Sequence, residues 1–140
     1  MSRSDGKRPD GLPLYPWANG KNVVWDFTCR DSLAPSHIST TSKEAGKAAE
    51  QAEAAKLNTY SNLINNYTVI PVAMETLGSW GSLGKKFITE IGSRIADATG
   101  EKRSTYFLFQ AISMAAQRGN VASILGTSPN TKKLDEIYYL

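Results

Sequence analysis

"GKRPDGLPLYPWANGKNVVWDFTCRD", residues 6–31, is the stretch that decides the fold. Its second half, "NVVWDFTC" (22–29), is β-branched and aromatic, which predicts a strand. "LPLYPW" (12–17) carries prolines at 13 and 16 and reads as an edge strand, because proline has no N–H to give a central ladder. Asn19-Gly20 lies between the two and is a strong hairpin signal. The same stretch holds two aspartates. Asp10 follows Arg8-Pro9, and Asp26 sits between Trp25 and Phe27, where a buried carboxylate is costly.

The rest of the chain is organised outward from this hairpin. "RDSLAPSHISTTS" (30–42) is built of turn residues and predicts a loop. Thr41 with Glu44 three residues on is a candidate capping box, opening a helix to about Asn65. That segment is rich in Ala, Glu and Lys, and Ala45, Ala48, Ala49, Ala52 and Ala55 would let it lie close to a sheet. "YTVIPVAME" (67–75) predicts a third strand. After the Gly-rich "GSWGSLG" come a helix over 82–98 stopped by Gly100, another over 103–117, and "RGNVASILG" as a short helix or bent extension. The expected fold is therefore α/β: a small mixed sheet, a β-hairpin plus a crossover parallel strand, flanked by helices. Its order is β-β-α-β-α-α, with a helical C-terminal half.

Composition limits the class. The chain has 140 residues, 41% hydrophobic and 21% charged, as in an ordinary globular domain. It reads as one domain with a polar lead-in (1–10), a core (11–76) and a helical part (77–140). No apolar run reaches the ~18 residues of a membrane span, and the opening "MSRSDGKRPDG" has no apolar signal-peptide core. The single cysteine, Cys29, excludes an internal disulfide and a Cys-rich zinc site and fits a reducing, intracellular setting. A net charge of +3 permits a polyanionic partner without demanding one. The basic pairs are small: Lys7-Arg8, Lys85-Lys86, Lys102-Arg103 and Lys132-Lys133.

Strand parity puts Val24, Asp26 and Thr28 on one face and Val23, Trp25, Phe27 and Cys29 on the other, the second being continuous core. Asp26 either faces solvent on a half-exposed strand or, under the crossover helix, needs a partner or a metal. The hairpin register decides whether Asp10 is that neighbour. A two-residue loop, Asn19-Gly20, puts the two carboxylates on opposite faces. A three-residue loop, Ala18 to Gly20, puts them on one face, and is the arrangement expected. Two carboxylates on one face make a hard oxygen site suited to Mg²⁺ or Mn²⁺.

"RPD" followed by "WDFT" resembles the PD-(D/E)xK, restriction-like nuclease superfamily, in the version at the C-terminus of retrotransposon reverse-transcriptase polyproteins of invertebrates. "VVWDFTC", "DSLAPSH", "AAEQAEAAK", "YSNLINNY", "ETLGSWG" and "QRGNVASILG" are similar to blocks of those proteins, so the likeness covers nearly the whole chain. Where the superfamily has a basic residue after the second acid, this chain has Thr28. In site-specific retrotransposons that cation moves to a following helix in a Lys-x-x-x-Tyr pattern, matched here by Lys56 to Tyr60. The resemblance implies a metal-dependent DNA endonuclease that nicks target DNA to prime reverse transcription, acting in the nucleus, with a reverse transcriptase upstream in the parent polyprotein. It implies Asp10, Asp26 and the Phe27 carbonyl as metal ligands and Lys56 as the catalytic cation. Arg8, Thr28, Glu53 and Tyr60 would support them, and Lys7, Arg8, Lys85 and Lys86 would contact nucleic acid. The superfamily core has a helix and strand before its Pro-Asp turn, so the chain is expected to be a C-terminal piece. Trp25, Phe27 and Val23 would then be left uncovered, and the chain would self-associate. The alternative is a catalytically inactive remnant that binds nucleic acid or protein; a weaker one is a purely structural interaction domain.

Other residues read as structural. His37 has no second histidine beside it, and Cys29 lies near no base pattern. Glu75 is expected to cap a turn or pair locally. "GSWGSLGKK" lacks the spacing of a phosphate loop. Tyr106, Phe107, Phe109 and Ile112 read as core at helical spacing.

Overall fold

The computed structural model describes residues 8–14 and 16–127. They form β1 (Pro16–Ala18), β2 (Lys21–Arg30), α1 (Ile38–Thr41), α2 (Lys47–Thr59), a 3₁₀ turn (Ser61–Leu63), β3 (Thr68–Glu75), α3 (Ser82–Thr99) and α4 (Ser104–Leu125). This is the mixed α/β order expected, with the one-turn α1 added. The sheet runs β1-β2-β3, antiparallel across the hairpin and parallel from β2 to β3. The chain divides into two compact units between Phe87 and Ile88, inside α3.

The hairpin corrects the expected three-residue loop. Ala18 pairs with Lys21, leaving Asn19-Gly20 as a two-residue turn, and both residues have positive φ, 49° and 71°. Paired positive φ values match the twist of the flanking strands, which is why Asn-Gly is favoured there. The next pair is Pro16 with Asn22, so Trp17 is an extra residue, a β-bulge. The bulge does what a longer loop would have done: it changes the register of everything upstream. Trp17 itself packs edge-on against Phe87, ring centroids 5.2 Å apart. The first strand is also shorter than residues 12–17. Pro13 and Pro16 cannot donate to a ladder, and among the described residues pairing upstream of β1 is confined to a bridge between Gly11 and Trp25.

α2 lies across the β2–β3 face that carries Val24, Asp26 and Thr28. Ala49 and Ala52 pack on Ala73 of β3, and small side chains there allow close approach. Ala48 is buried with them, whereas Ala45 and Ala55 are exposed. Val24, Tyr60 and Leu63 close one end of this layer with Leu12, Tyr67 and Val69.

α2 starts later than the Thr41–Glu44 pattern predicts. Thr41 ends α1, and its hydroxyl donates to the Ser32 and His37 carbonyls. Gly46, at φ 86°, is the N-cap and offers no side chain. The cap comes from across the fold: Glu75 Oε1 accepts from the Ala48 amide at 3.0 Å, and its Oε2 accepts from Ser32 Oγ at 3.3 Å. A carboxylate at a helix N-terminus satisfies an orphan donor and complements the macrodipole. Helix α2 also stops early, with Tyr60 as its C-cap, because residues 61–63 tighten into a 3₁₀ turn.

The opposite face of β2 is less covered than parity suggested. Val23 is buried, Trp25 is half-buried, Phe27 is 40% exposed and Cys29 is exposed. Beyond β3 the chain turns at Gly78, φ 99°, and Met74 bridges Trp80. The Gly81 amide then donates to the Ala73 carbonyl before α3 begins.

In the second unit Gly92 sits so close to Thr105 that a Cβ would fall 2.5 Å from it. Gly100, φ 77°, makes the turn between α3 and α4. α4 runs unbroken through Gly119 to Leu125, so the bent extension is part of one helix. Its apolar residues are spread round the helix rather than gathered in a stripe. Tyr106 and Phe107 are exposed and Phe109 and Ile112 half-buried, contrary to the core expected of them. Among the described residues no helix is long and apolar enough to cross a membrane.

Candidate active site: a carboxylate cleft between strand β2 and helix α2

The Pro-Asp turn is fastened to the edge of β2. The amides of Asp10 and Gly11 both donate to the Trp25 carbonyl at 3.1 Å, and the Trp25 amide returns a bond to the Gly11 carbonyl. Trp25 therefore directs its backbone groups to this edge, and so does Phe27, two residues on. The Phe27 amide donates to Asp10 Oδ2 at 2.7 Å. N–H and C=O of one strand residue point to the same edge, so the Phe27 carbonyl opens on the side where Asp10 lies. Gly11 is needed here, because a Cβ would overlap the Trp25 indole.

Asp26 points from β2 into the layer beneath α2 and is 5% exposed. Tyr60 donates its hydroxyl to Asp26 Oδ1 at 3.0 Å, and Lys56 Nζ lies 2.6 Å from Oδ2. Lys56 and Tyr60 are one turn apart, so a single face of α2 delivers both. Tyr60 is buried, whereas the Lys56 side chain keeps 32% of its surface. A buried carboxylate needs such partners, because one left unpaired is costly.

These groups line one cleft of about 520 Å³ with Arg8, Phe27, Arg30, Ala52, Ala55 and Thr59. Asp10, Asp26, Lys56 and Tyr60, remote in sequence, thus meet in space, and Arg8 stands beside them. Thr28 is half-buried on the Asp26 face, and the cation near Asp26 comes from Lys56 instead. Asp10 Oδ1 accepts no hydrogen bond among the described residues. Each carboxylate oxygen also has two lone pairs, so one bond per oxygen leaves capacity for a cation. No cluster of three or more His, Cys, Asp or Glu occurs among the described residues. Mg²⁺ keeps several waters and takes one or two carboxylates from a protein, so the donor types present, two carboxylates and a backbone carbonyl, are ones it uses.

Other expected site residues lie elsewhere. Glu53 faces away from the cleft, is 2% exposed, and accepts from the Leu83 and Gly84 amides at 3.0 and 2.7 Å. It caps α3, and Gly81 and Gly84 leave the room: a Cβ on Gly81 would fall 2.3 Å from the Glu53 carboxyl carbon. The Gly-rich "GSWGSLG" therefore cradles an anion, but the anion is this protein's own side chain. Lys85 and Lys86 are exposed on α3 and do not line the cleft. Lys7 lies outside the described residues. The His37 carbonyl caps α1 by accepting from the Thr40 and Thr41 amides. At Cys29, partial burial and then the Asp31 charge push the thiol pKa up, which disfavours the nucleophilic thiolate.

Arg30 was missed in sequence. It follows Asp26 by four strand residues and so shares its face, but the sequence reading put it at the start of the loop 30–42, where strand parity does not apply. No known protein family, curated protein or solved structure matches this chain.

Proposed function

We propose that the cleft is the site of a metal-dependent DNA endonuclease of retrotransposon origin, nicking target DNA so that the free 3′ end primes reverse transcription. The observation that supports this best is the convergence of Asp10, Asp26 and Lys56 on one cleft, with Tyr60 and the Phe27 amide fixing the carboxylates. Asp10, Asp26 and the Phe27 carbonyl would hold Mg²⁺ or Mn²⁺. When bound, such an ion polarises a phosphodiester and lowers the pKa of an attacking water.

The chain's own groups supply the rest. The Phe27 amide holds the Asp10 carboxylate in place by Oδ2. The Tyr60 hydroxyl holds Asp26 by Oδ1 and fixes its rotation. The Lys56 ammonium, partly exposed in the cleft, donates hydrogen bonds to a phosphate oxygen and stabilises charge that grows during attack. The reading places its action on nuclear DNA, beside a reverse transcriptase in the parent polyprotein.

Isothermal titration with Mg²⁺ or Mn²⁺ and a plasmid-nicking assay test it together. Native protein should bind the ion and nick supercoiled DNA, and Asp26→Ala should lose ion binding, with turnover down about 10²–10³-fold, the scale of losing a major electrostatic contributor. Native protein that binds neither ion nor nicks DNA would end the nuclease reading. The cleft also carries three cations, Arg8, Arg30 and Lys56, against two carboxylates. That balance favours, as the second reading, a nucleic-acid-binding module without turnover, and DNA binding without ion binding would select it.

A further inference from the structure

Arg30 is held at the end of β2, where its carbonyl accepts from the Thr76 amide at 2.8 Å. Arg30 lines the cleft, and its Nε is buried with no hydrogen-bond partner among the described residues. A buried donor left without a partner is destabilising, more so when it is charged. Such a group is stabilised when an anion arrives. Arginine suits a phosphodiester, because its planar fork gives two parallel N–H bonds to one phosphate. Four strand residues separate the Cα atoms of Arg30 and Asp26 by ~13 Å. Arg30 is therefore placed for a neighbour of the phosphate at the carboxylates, not for that phosphate itself.

We propose that Arg30 is a backbone-phosphate clamp of the cleft, gripping a phosphodiester next to the reacting one and so setting how a DNA strand runs past Asp10 and Asp26. This rests on the nuclease reading for the strand's role, but the binding itself needs no metal and no cleavage.

The test is fluorescence anisotropy of a labelled DNA duplex with the full chain in EDTA, across a salt series, with ion binding followed separately. Arg30→Gln should weaken binding about tenfold and flatten the slope of log K against log salt by about one, since one phosphate contact is lost. Arg30→Lys should recover the slope but only part of the affinity, because the point charge returns without the fork. Mg²⁺ binding should be unchanged in both variants. A slope and affinity unchanged in Arg30→Gln would overturn the proposal, as would a native chain that binds no DNA. If Arg30→Lys fails to recover the slope, Arg30 acts structurally and the proposal also falls. Loss of DNA binding in Arg30→Gln from a native protein that binds no Mg²⁺ would keep the clamp and end the nuclease reading.

Discussion

Glu53, on α2, and Asp26, on β2 beneath it, are both buried carboxylates, and they are held in different ways. Glu53 has the backbone for a partner: two amides at the start of α3, with glycines cleared around it. Asp26 has side chains for partners, a phenol and an ammonium, and it faces a cleft. Backbone partners cannot leave without unfolding the helix end. Lys56 can swing to a new ligand, and its charge can be traded for that of a cation. Burial of a carboxylate is therefore a poor guide to function on its own; what holds it is the better guide. Glu75 belongs with Glu53, since the α2 amide of Ala48 holds one of its oxygens.

The largest expected effect on stability belongs to Glu53. Glu53→Ala strands two donors at the start of α3 and removes two charge-assisted bonds, each worth ~1.5–3 kcal/mol. A thermal melt should show a loss of about 3 kcal/mol or more, and the fraction still folded should keep its Mg²⁺ affinity. If Mg²⁺ binding fell while stability held, Glu53 would belong to the site and the contrast would be wrong.

Gly81→Ala sharpens the same point at smaller cost. The new methyl would meet the Glu53 carboxyl, and overpacking of this kind costs ~1–3 kcal/mol. In a Glu53→Ala background the same change should be nearly neutral, because the obstructing group is gone. A double-mutant cycle by denaturant unfolding reads the coupling directly. Equal costs in both backgrounds would mean that Gly81 is required for its own backbone and not for Glu53.

Much of this was legible in the sequence. The order of elements followed from β-branched and aromatic runs, the Asn-Gly turn and the Ala-rich helix. The pairing of Lys56 and Tyr60 with Asp26 came from the resemblance to the Lys-x-x-x-Tyr pattern, and helix periodicity added only that the two share a face. What was not legible has a common cause: it depends on partners distant in the chain. The Trp17 bulge is anchored by Phe87, and no local propensity announces it. The start of α2 is set by Glu75 and by the close approach of Gly46 to the Trp80 carbonyl, so the nearer Thr41–Glu44 pattern loses. Glu53 shares a helix with Lys56 and was grouped with it by spacing alone. Only the return of residues 81–84 shows that it looks the other way.

Tyr60→Phe is the smallest of these changes and the one that weighs the comparison most directly. The ring would stay packed with Val24 and Leu63, and the change removes the hydroxyl that donates to Asp26 Oδ1. If Asp26 were sealed like Glu53, losing a donor would cost the full burial penalty of a charged oxygen. Asp26 borders a cleft of about 520 Å³, large enough for water to enter and replace the phenol. The stability cost should therefore be ~1 kcal/mol, as for an ordinary hydrogen bond and below the range for one to a sealed charge. The functional cost should be larger in proportion, because water does not fix the rotation of the carboxylate. Melting and Mg²⁺ titration of the same variant separate the two effects: a small shift in stability with a severalfold weaker ion affinity is expected. A stability loss as large as that of Glu53→Ala, with ion affinity unmoved, would make Asp26 a structural carboxylate like Glu53 and dissolve the distinction between them.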